Sequence, residues 1–176
     1  SKPPLRSGFS SLLWALGDLV AFPETNIELQ LPYRKHLKVG DIFRLRYPGE
    51  RYFLGQVSSL NAKAGGFDDC ILINIFAFEH STPMHISSLP SLELLIAPLY
   101  INRLGFSRGY MPVIGNAPVK KTSSEYCYFD VLYKKYLDSE GNEIAGPKGL
   151  VGSWGLSNYL VMDDLISEKL GLPIKG

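Results

Sequence analysis

The sequence predicts an α+β protein that consists mainly of antiparallel β-sheet or a partly open barrel, with a C-terminal helix and a candidate short N-terminal helix. Several short segments alternate apolar and polar residues with the period of two that is typical of strands. Turn-forming Gly, Pro and Asn residues separate these segments. Apolar residues recur at helical spacing near each end of the chain, which predicts the two helices.

The N-terminal part of the chain predicts a short helix and then a strand. Ser10 is suited to cap a helix, although Gly17 weakens its interior. One face of this helix carries four apolar residues: Leu12, Leu13, Leu16 and Val20. Downstream, residues 27–31 alternate apolar and polar side chains, which predicts a strand with one buried face.

A β-hairpin is predicted for the segment VGDIFRLRYPGERYFLGQV, positions 39–57. Its central Pro-Gly pair suits a type II turn, because Pro fixes φ and Gly tolerates positive φ. Successive side chains of a strand point to opposite faces, so Arg44 and Arg46 are expected to face water. Gly55 is expected at a bulge or at a close approach of two backbones.

The middle of the chain predicts further strands. CILINIFAF, positions 70–78, is apolar on both alternating faces, which favours a central strand that is covered on both sides. SLELLIAPLYIN, positions 91–102, fits a short helix or a strand, and the strand is favoured. GYMPVIGNAP and EYCYFDVLYKK, positions 109–118 and 125–135, predict two more strands, and DSEGNE supplies turn residues before NEIAG.

The C-terminal segment predicts a helix that Ser157 caps and Gly171 ends. Asp163 and Asp164 are expected on its outer face, together with Glu168 and Lys169. The opposite face carries an apolar stripe: Val161, Met162, Leu165, Ile166 and Leu170.

Length and composition indicate one globular domain, residues 1–176. The formal net charge of +1 gives no overall attraction for nucleic acid or membrane. The two cysteines, Cys70 and Cys127, lie in apolar runs and do not form a disulfide framework, which favours a reducing, cytoplasmic location. No apolar run reaches the roughly 20 residues that span a bilayer.

The sequence offers few groups for catalysis. Its histidines are His36, His80 and His85, and E-H-x-x-x-x-H is not the helical pair of a zinc protease. Ser153 follows Gly152 directly, so the nucleophile elbow G-x-S-x-G is absent. We therefore expect that the protein is not an enzyme and binds no cofactor or metal. A hydrolase that uses His80 and His85 is the third hypothesis.

The arginines of the hairpin raise a nucleic-acid alternative. Arg44, Arg46 and Arg51 stand beside two tyrosines, Tyr47 and Tyr52. Cations and stacking rings therefore occur together, as in small-barrel nucleic-acid-binding or regulatory modules. Strand arginines equally cover a solvent face and protect a sheet edge. Because the chain is not basic overall, nucleic acid is not the expected partner.

Four segments together resemble the immunity protein 26 family of bacterial polymorphic toxin systems: KVGDIFRLRYPGERYFLGQV, ILINIFAF, YFDVLYKKYLDSEGNEIAG and SWGLSNYLVMDDLISEKL. In that family a hairpin with Gly-Asp and Gly-x-Val opens a mainly β domain, and a late aromatic-Gly element leads into a closing helix. The resemblance covers about positions 38–170. The matching residues are Gly40, Asp41, Phe43, Tyr52, Gly55, Val57, Trp154 and Gly155.

The resemblance implies a small cytoplasmic protein that binds a cognate toxin and neutralises it, without turnover. Interfaces of this kind use aromatic and Arg anchors. Residue type therefore nominates two sets of partner-binding residues, one on the hairpin and one in LYINRLGFSRGYMP. The first set is Arg44, Arg46, Arg51 and Tyr52, and the second is Arg103, Arg108 and Tyr110. No membrane contact is expected, and the sequence does not fix the toxin or the oligomeric state.

Overall fold

The structure is a computed structural model that describes residues 22–83 and 89–175. Nine strands lie in these residues: β1 Asp41–Tyr47, β2 Arg51–Ala64, β3 Phe67–Ile75, β4 Leu99–Ile101, β5 Val113–Asn116, β6 Tyr126–Asp130, β7 Lys135–Leu137, β8 Glu143–Ile144 and β9 Leu150–Ser153. The helices of the same residues are α1, Leu104–Arg108, and α2, Tyr159–Leu170. The β-rich α+β class with a C-terminal helix is confirmed, whereas the candidate N-terminal helix lies outside the described residues.

The strands form two sheets that do not close into a barrel. The first sheet has the order β4-β3-β2-β1-β5, and every neighbouring pair in it is antiparallel. The second sheet has the order β8-β7-β6-β9, in which β6 and β9 are parallel. As predicted, β3 is a central strand, because β2 and β4 pair with its two edges.

The predicted hairpin is the pair β1 and β2, in which Tyr47 lies opposite Arg51. Gly49 has the expected positive φ of 84°, and Glu50 follows with a φ of 57°. Gly55 lies opposite Phe43, and a Cβ atom added there would stand 2.2 Å from Cζ of the Phe43 ring. The ring therefore occupies the space that a side chain at position 55 would take. The predicted backbone approach is made by the carbonyl of Asn74, 2.8 Å from the added atom, and the register shows no bulge at Gly55.

The main core lies between the first sheet and the two helices. Its fully buried side chains come mainly from strands β1 to β4 and from both helices, and they include Phe43, Leu45, Val57, Ile73, Ile101, Phe106, Met162 and Ile166. A smaller aromatic cluster joins the second sheet to β4: the Tyr100 and Tyr128 ring centroids lie 5.3 Å apart, and Trp154 packs on both. In the described part of the chain, no helix has the length and apolar character to cross a membrane.

The C-terminal helix is confirmed, but two of its details differ from the prediction. Asn158, not Ser157, is the cap, because its side-chain oxygen accepts the backbone N–H groups of Leu160 and Val161 at 2.9 and 3.1 Å. Asp163 is buried, 1% exposed, rather than on the outer face. Its two carboxylate oxygens accept the backbone N–H groups of Asn26 and Ile27 at 3.0 and 2.8 Å.

The strand predicted at residues 27–31 is wrong. Ile27 is buried, but Leu29 and Leu31 are 54% and 67% exposed. A continuous ladder does not form, because this segment divides its backbone hydrogen bonds between Asp163, β1 and the end of α1. The Glu28 N–H donates to the carbonyl of Arg46, whereas the Gln30 N–H donates to that of Gly109, both at 2.8 Å.

Three later strands are shorter than predicted. Of positions 91–102 only Leu99–Ile101 is a strand, and of positions 109–118 only Val113–Asn116. In positions 125–135, β6 stops at Asp130. The carboxylate of Asp130 accepts the backbone N–H groups of Leu132 and Tyr133 at 3.0 and 3.2 Å. This side chain converts the predicted strand into a turn between β6 and β7.

Gly55→Ala is expected to destabilise the fold. The added methyl group would meet the Phe43 ring at 2.2 Å and the Asn74 carbonyl at 2.8 Å, so the sheet must shift. Overpacking of this kind costs about 1 to 3 kcal/mol. Urea denaturation measures the loss, and Gly146→Ala, where no atom lies within 4 Å of the added Cβ, is the matched control. Equal unfolding midpoints for the two variants would contradict the prediction.

Asp163 is expected to make stability depend on pH. Burial raises the pKa of this carboxyl, while the two backbone N–H groups partly oppose the shift. A pKa that is higher in the folded state than in the unfolded state adds stability below the unfolded pKa, about 3.9, and that stability is lost as pH rises through the folded pKa.

The stability difference between the wild type and Asp163→Asn isolates this effect. We expect the free energy of unfolding of the wild type, relative to the variant, to be largest near the unfolded pKa and to decrease as pH rises. Urea melts at a series of pH values measure it. A difference that grows with pH would contradict the assignment.

Candidate functional site

The hairpin residues predicted to bind a partner are held by contacts within the chain. Nε of Arg44 donates to Oε1 of Gln30 at 2.8 Å, and Arg46 forms an ion pair with Glu28 at 3.1 Å. Both guanidinium groups lie 5.8 Å from the ring centroid of Tyr52, which is only 5% exposed. Both arginines are therefore partly exposed to water, as the strand alternation predicts, but residues 28–30 lie against them.

Arg51 lies at the start of β2, where it forms a two-pronged contact with Glu79. Nε and Nη2 donate to the two carboxylate oxygens at 3.1 and 2.8 Å. This pair is accessible to solvent, and exposed ion pairs contribute little stability. Arg51, like Arg46, thus takes part in a solvent-accessible ion pair within the chain.

The second predicted set lies around α1. A guanidinium nitrogen of Arg103 donates to the carbonyl of Lys35. Arg108 donates to the Tyr159 hydroxyl at 2.8 Å and lies 4.8 Å from the centroid of the Phe22 ring. Tyr110 is buried and stacks on Tyr159 with a centroid distance of 4.7 Å.

Gln30 brings the two predicted sets together. Its side-chain amide donates to the carbonyl of Arg44 at 2.9 Å and to that of Tyr110 at 3.4 Å. Most of these residues therefore share one task, which is to hold the segment 22–31 against the body of the protein.

The histidines do not form a site in the described residues. His36 is exposed. His80 is partly buried beside Phe78, with ring centroids 4.5 Å apart, and burial lowers its pKa. His85 lies outside the described residues. Within residues 22–83 and 89–175, no group of three or more His, Cys, Asp or Glu side chains is placed to hold a metal ion.

The turn between β6 and β7 is the functional candidate that sequence reasoning missed. Val131, Leu132 and Tyr133 are 71%, 79% and 71% exposed. The turn is nevertheless well supported, since the carboxylate of Asp130 accepts two of its backbone N–H groups, and Nζ of Lys135 lies 5.5 Å from the centroid of the Tyr133 ring. The chain thus presents three consecutive apolar side chains to solvent on an ordered loop.

An open cavity of about 440 Å³ adjoins this turn. The turn forms one wall, Gly65 and Gly66 form another, and β9 contributes Ser153 near Trp154. Phe67, the residue after Gly66, is 51% exposed. We call Val131, Leu132, Tyr133 and this cavity the turn surface. Adjacent exposed apolar residues beside a cavity are typical of surfaces that contact other molecules.

Sequence periodicity could not identify this surface, because Val131, Leu132 and Tyr133 continue the pattern of a strand. The residue that indicates a turn here is Asp130, which precedes the three apolar residues. An Asp side chain can accept hydrogen bonds from the backbone N–H groups two and three residues later. Comparison with models of protein families, with curated proteins and with solved structures finds no match to this chain.

Arg108→Ala is expected to lower stability by about 1 to 2 kcal/mol, because it removes a cation from the Phe22 ring and a hydrogen-bond donor from the buried Tyr159. Thermal unfolding followed by circular dichroism measures the change. Arg34→Ala, at an exposed position, is the control and should leave the midpoint unchanged. Two equal midpoints would mean that the Arg108 contacts contribute nothing.

Proposed function

We propose that the chain is an immunity protein that binds a cognate bacterial toxin in the cytoplasm and neutralises it by protein–protein contact. The turn surface is the observation that carries this proposal. Soluble proteins rarely expose adjacent large apolar side chains without a partner to cover them, and here three such residues stand on one supported turn.

The energetics of the turn surface favour a tight complex. Complete burial of a Leu or Val side chain contributes about 1.5 to 3 kcal/mol, and an aromatic residue such as Tyr133 is a frequent anchor of interfaces. The Asp130 hydrogen bonds fix the backbone before binding, so the loss of backbone conformational entropy on binding is small. A few residues of this kind supply most of the affinity of an interface.

Neutralisation of this kind requires no turnover. A bound immunity protein blocks the active site of its toxin, or the path of the substrate to it, for as long as the complex persists. Lys134, exposed at the end of the turn, offers a positive charge beside the apolar residues, and an acidic residue on the toxin would complement it and speed association. The two cysteines are free thiols, which suits the reducing cytoplasm that the proposal requires.

The structure gives less support than the sequence to nucleic-acid binding by the hairpin. Stacking of a base needs an accessible ring, and Tyr52 is 5% exposed. Glu28 neutralises Arg46, and Gln30 occupies Arg44. Retention on single-stranded DNA or RNA that weakens with salt, and that Arg44→Ala with Arg46→Ala abolishes, would restore this alternative.

Co-expression with the toxin encoded by the neighbouring gene tests the proposal. We expect the wild-type chain to restore growth and to co-purify with the toxin. We expect Leu132→Asp to lower the affinity roughly 30-fold or more, because it places a charge in the apolar contact. Leu132 is 79% exposed, so the variant should fold normally.

Leu31→Asp is the matched control, since Leu31 is an exposed leucine, at 67%, on the segment that covers the first sheet. It should bind and rescue like the wild type. If Leu132→Asp binds the toxin as tightly as the wild type, the toxin does not contact the turn surface. A wild-type chain that neither binds the toxin nor rescues growth would end the proposal.

A further inference from the structure

Strand β9 has one edge without a partner in the described chain. It lies at the end of the second sheet and pairs on one side with β6. The N–H groups of Leu150 and Trp154 donate toward β6, to Glu125 and Phe129, each at 3.0 Å. Successive residues of a strand direct their N–H and C=O groups to opposite edges. The backbone groups of Val151 and Ser153 therefore point away from β6, and no residue within 22–83 or 89–175 pairs with that edge.

A groove of about 490 Å³ runs between β9 and helix α2. The β9 wall contains Val151, which is 47% exposed. Apolar side chains line most of the groove, among them Ile96, Leu99 and Leu165. An added strand lies about 4.8 Å from its neighbour, so a chain that paired with β9 would lie in this groove with α2 beside it.

Strand β9 also lacks the features that usually protect an edge. Exposed edges are commonly blocked by charged residues, by proline or by a covering segment, yet Leu150–Ser153 has the sequence LVGS. At β4, by contrast, the N–H of Ser157 covers the edge by donating to the Tyr100 carbonyl at 2.7 Å. The other end of the second sheet is β8, which has two residues and begins with Glu143. The open edge of β9 is thus suited to strand addition.

We infer that β9 binds an extended segment of the toxin as an added strand, a proposal that rests on the function proposed above and names the place of contact. Unpaired N–H and C=O groups in strand geometry are satisfied by an extended backbone. Apolar residues at alternate positions of that segment would fill the groove. Glu168 and Lys169 stand at its rim without an ion-pair partner in the described residues, so a segment with a basic and an acidic residue complements both.

The groove and the turn surface are neighbours along β9. Val151 lines the groove, and Ser153, two residues later, lines the cavity beside the β6–β7 turn. A segment that pairs with Val151 and Ser153 therefore leads directly to the residues that carry the proposed function. One toxin molecule can therefore contact both places, with an extended segment on β9 and a second contact at the turn surface.

Amide hydrogen exchange in the free chain and in the complex with the toxin of the neighbouring gene tests the inference. The amides of Leu150 and Gly152 face β6 and should be protected in both states. Those of Val151 and Ser153 should become protected only in the complex. Val151→Pro removes the N–H donor at an edge position where proline is tolerated, and we expect it to weaken binding at least tenfold. Val151→Thr keeps the donor and should bind within about threefold of the wild type.

The outcomes separate this inference from the proposed function. A toxin that binds the wild type without protecting Val151 and Ser153 overturns strand addition and leaves the proposed function intact. Protection of these amides that rises with concentration in the absence of toxin identifies a second copy as the occupant and also overturns it. Failure of the toxin to bind the wild type removes both proposals. Because exchange is measured on the wild type, the test stands even if Val151→Pro does not fold.

Discussion

The carboxylate of Asp163 is the constraint on which much of the arrangement depends. A buried carboxylate is costly unless hydrogen bonds compensate for its lost hydration, and here the backbone N–H groups of Asn26 and Ile27 offset part of that cost at 3.0 and 2.8 Å. The Asn26 side chain extends the connection, because it donates to Ser167 at 3.0 Å and to the carbonyl of Pro173 at 2.6 Å. The segment before β1 is thereby fixed to the C-terminal helix.

This attachment determines what the first sheet can offer to a partner. Once Asn26 and Ile27 are fixed on α2, the next residues lie beside β1, where Glu28 pairs with Arg46 and Gln30 with Arg44. The arginines that composition nominates for recognition are thus occupied within the fold. The second sheet is different: it joins the first through the aromatic cluster around Tyr128, and it leaves an apolar turn and a strand edge accessible.

Much of the fold could be predicted from sequence, because its strongest signals are local. The Pro-Gly turn, the double-faced apolar strand β3 and the Gly171 stop of α2 each follow from a few adjacent residues. The predictions were wrong where a contact between residues distant in sequence determines the local structure. The burial of Asp163 depends on backbone groups 136 and 137 positions away.

The candidate site likewise combines features that local sequence indicates with contacts that only the fold creates. Residue type drew attention to Arg108 and Tyr110, but only the fold reveals that Tyr159 engages both. Conversely, Leu132 continues a strand-like pattern, and its exposure depends on the hydrogen bonds of Asp130 that end β6. Periodicity indicates which residues share a face of an element. It does not indicate whether the rest of the chain covers that face.

We propose that this chain acts by binding a protein partner through the second sheet. A structure of the complex with the toxin of the neighbouring gene tests it most directly. We expect Leu132 and Tyr133 to be buried against the toxin in this complex. A complex in which the toxin lies on the Arg44 and Arg46 face while the β6–β7 turn remains in solvent would contradict it.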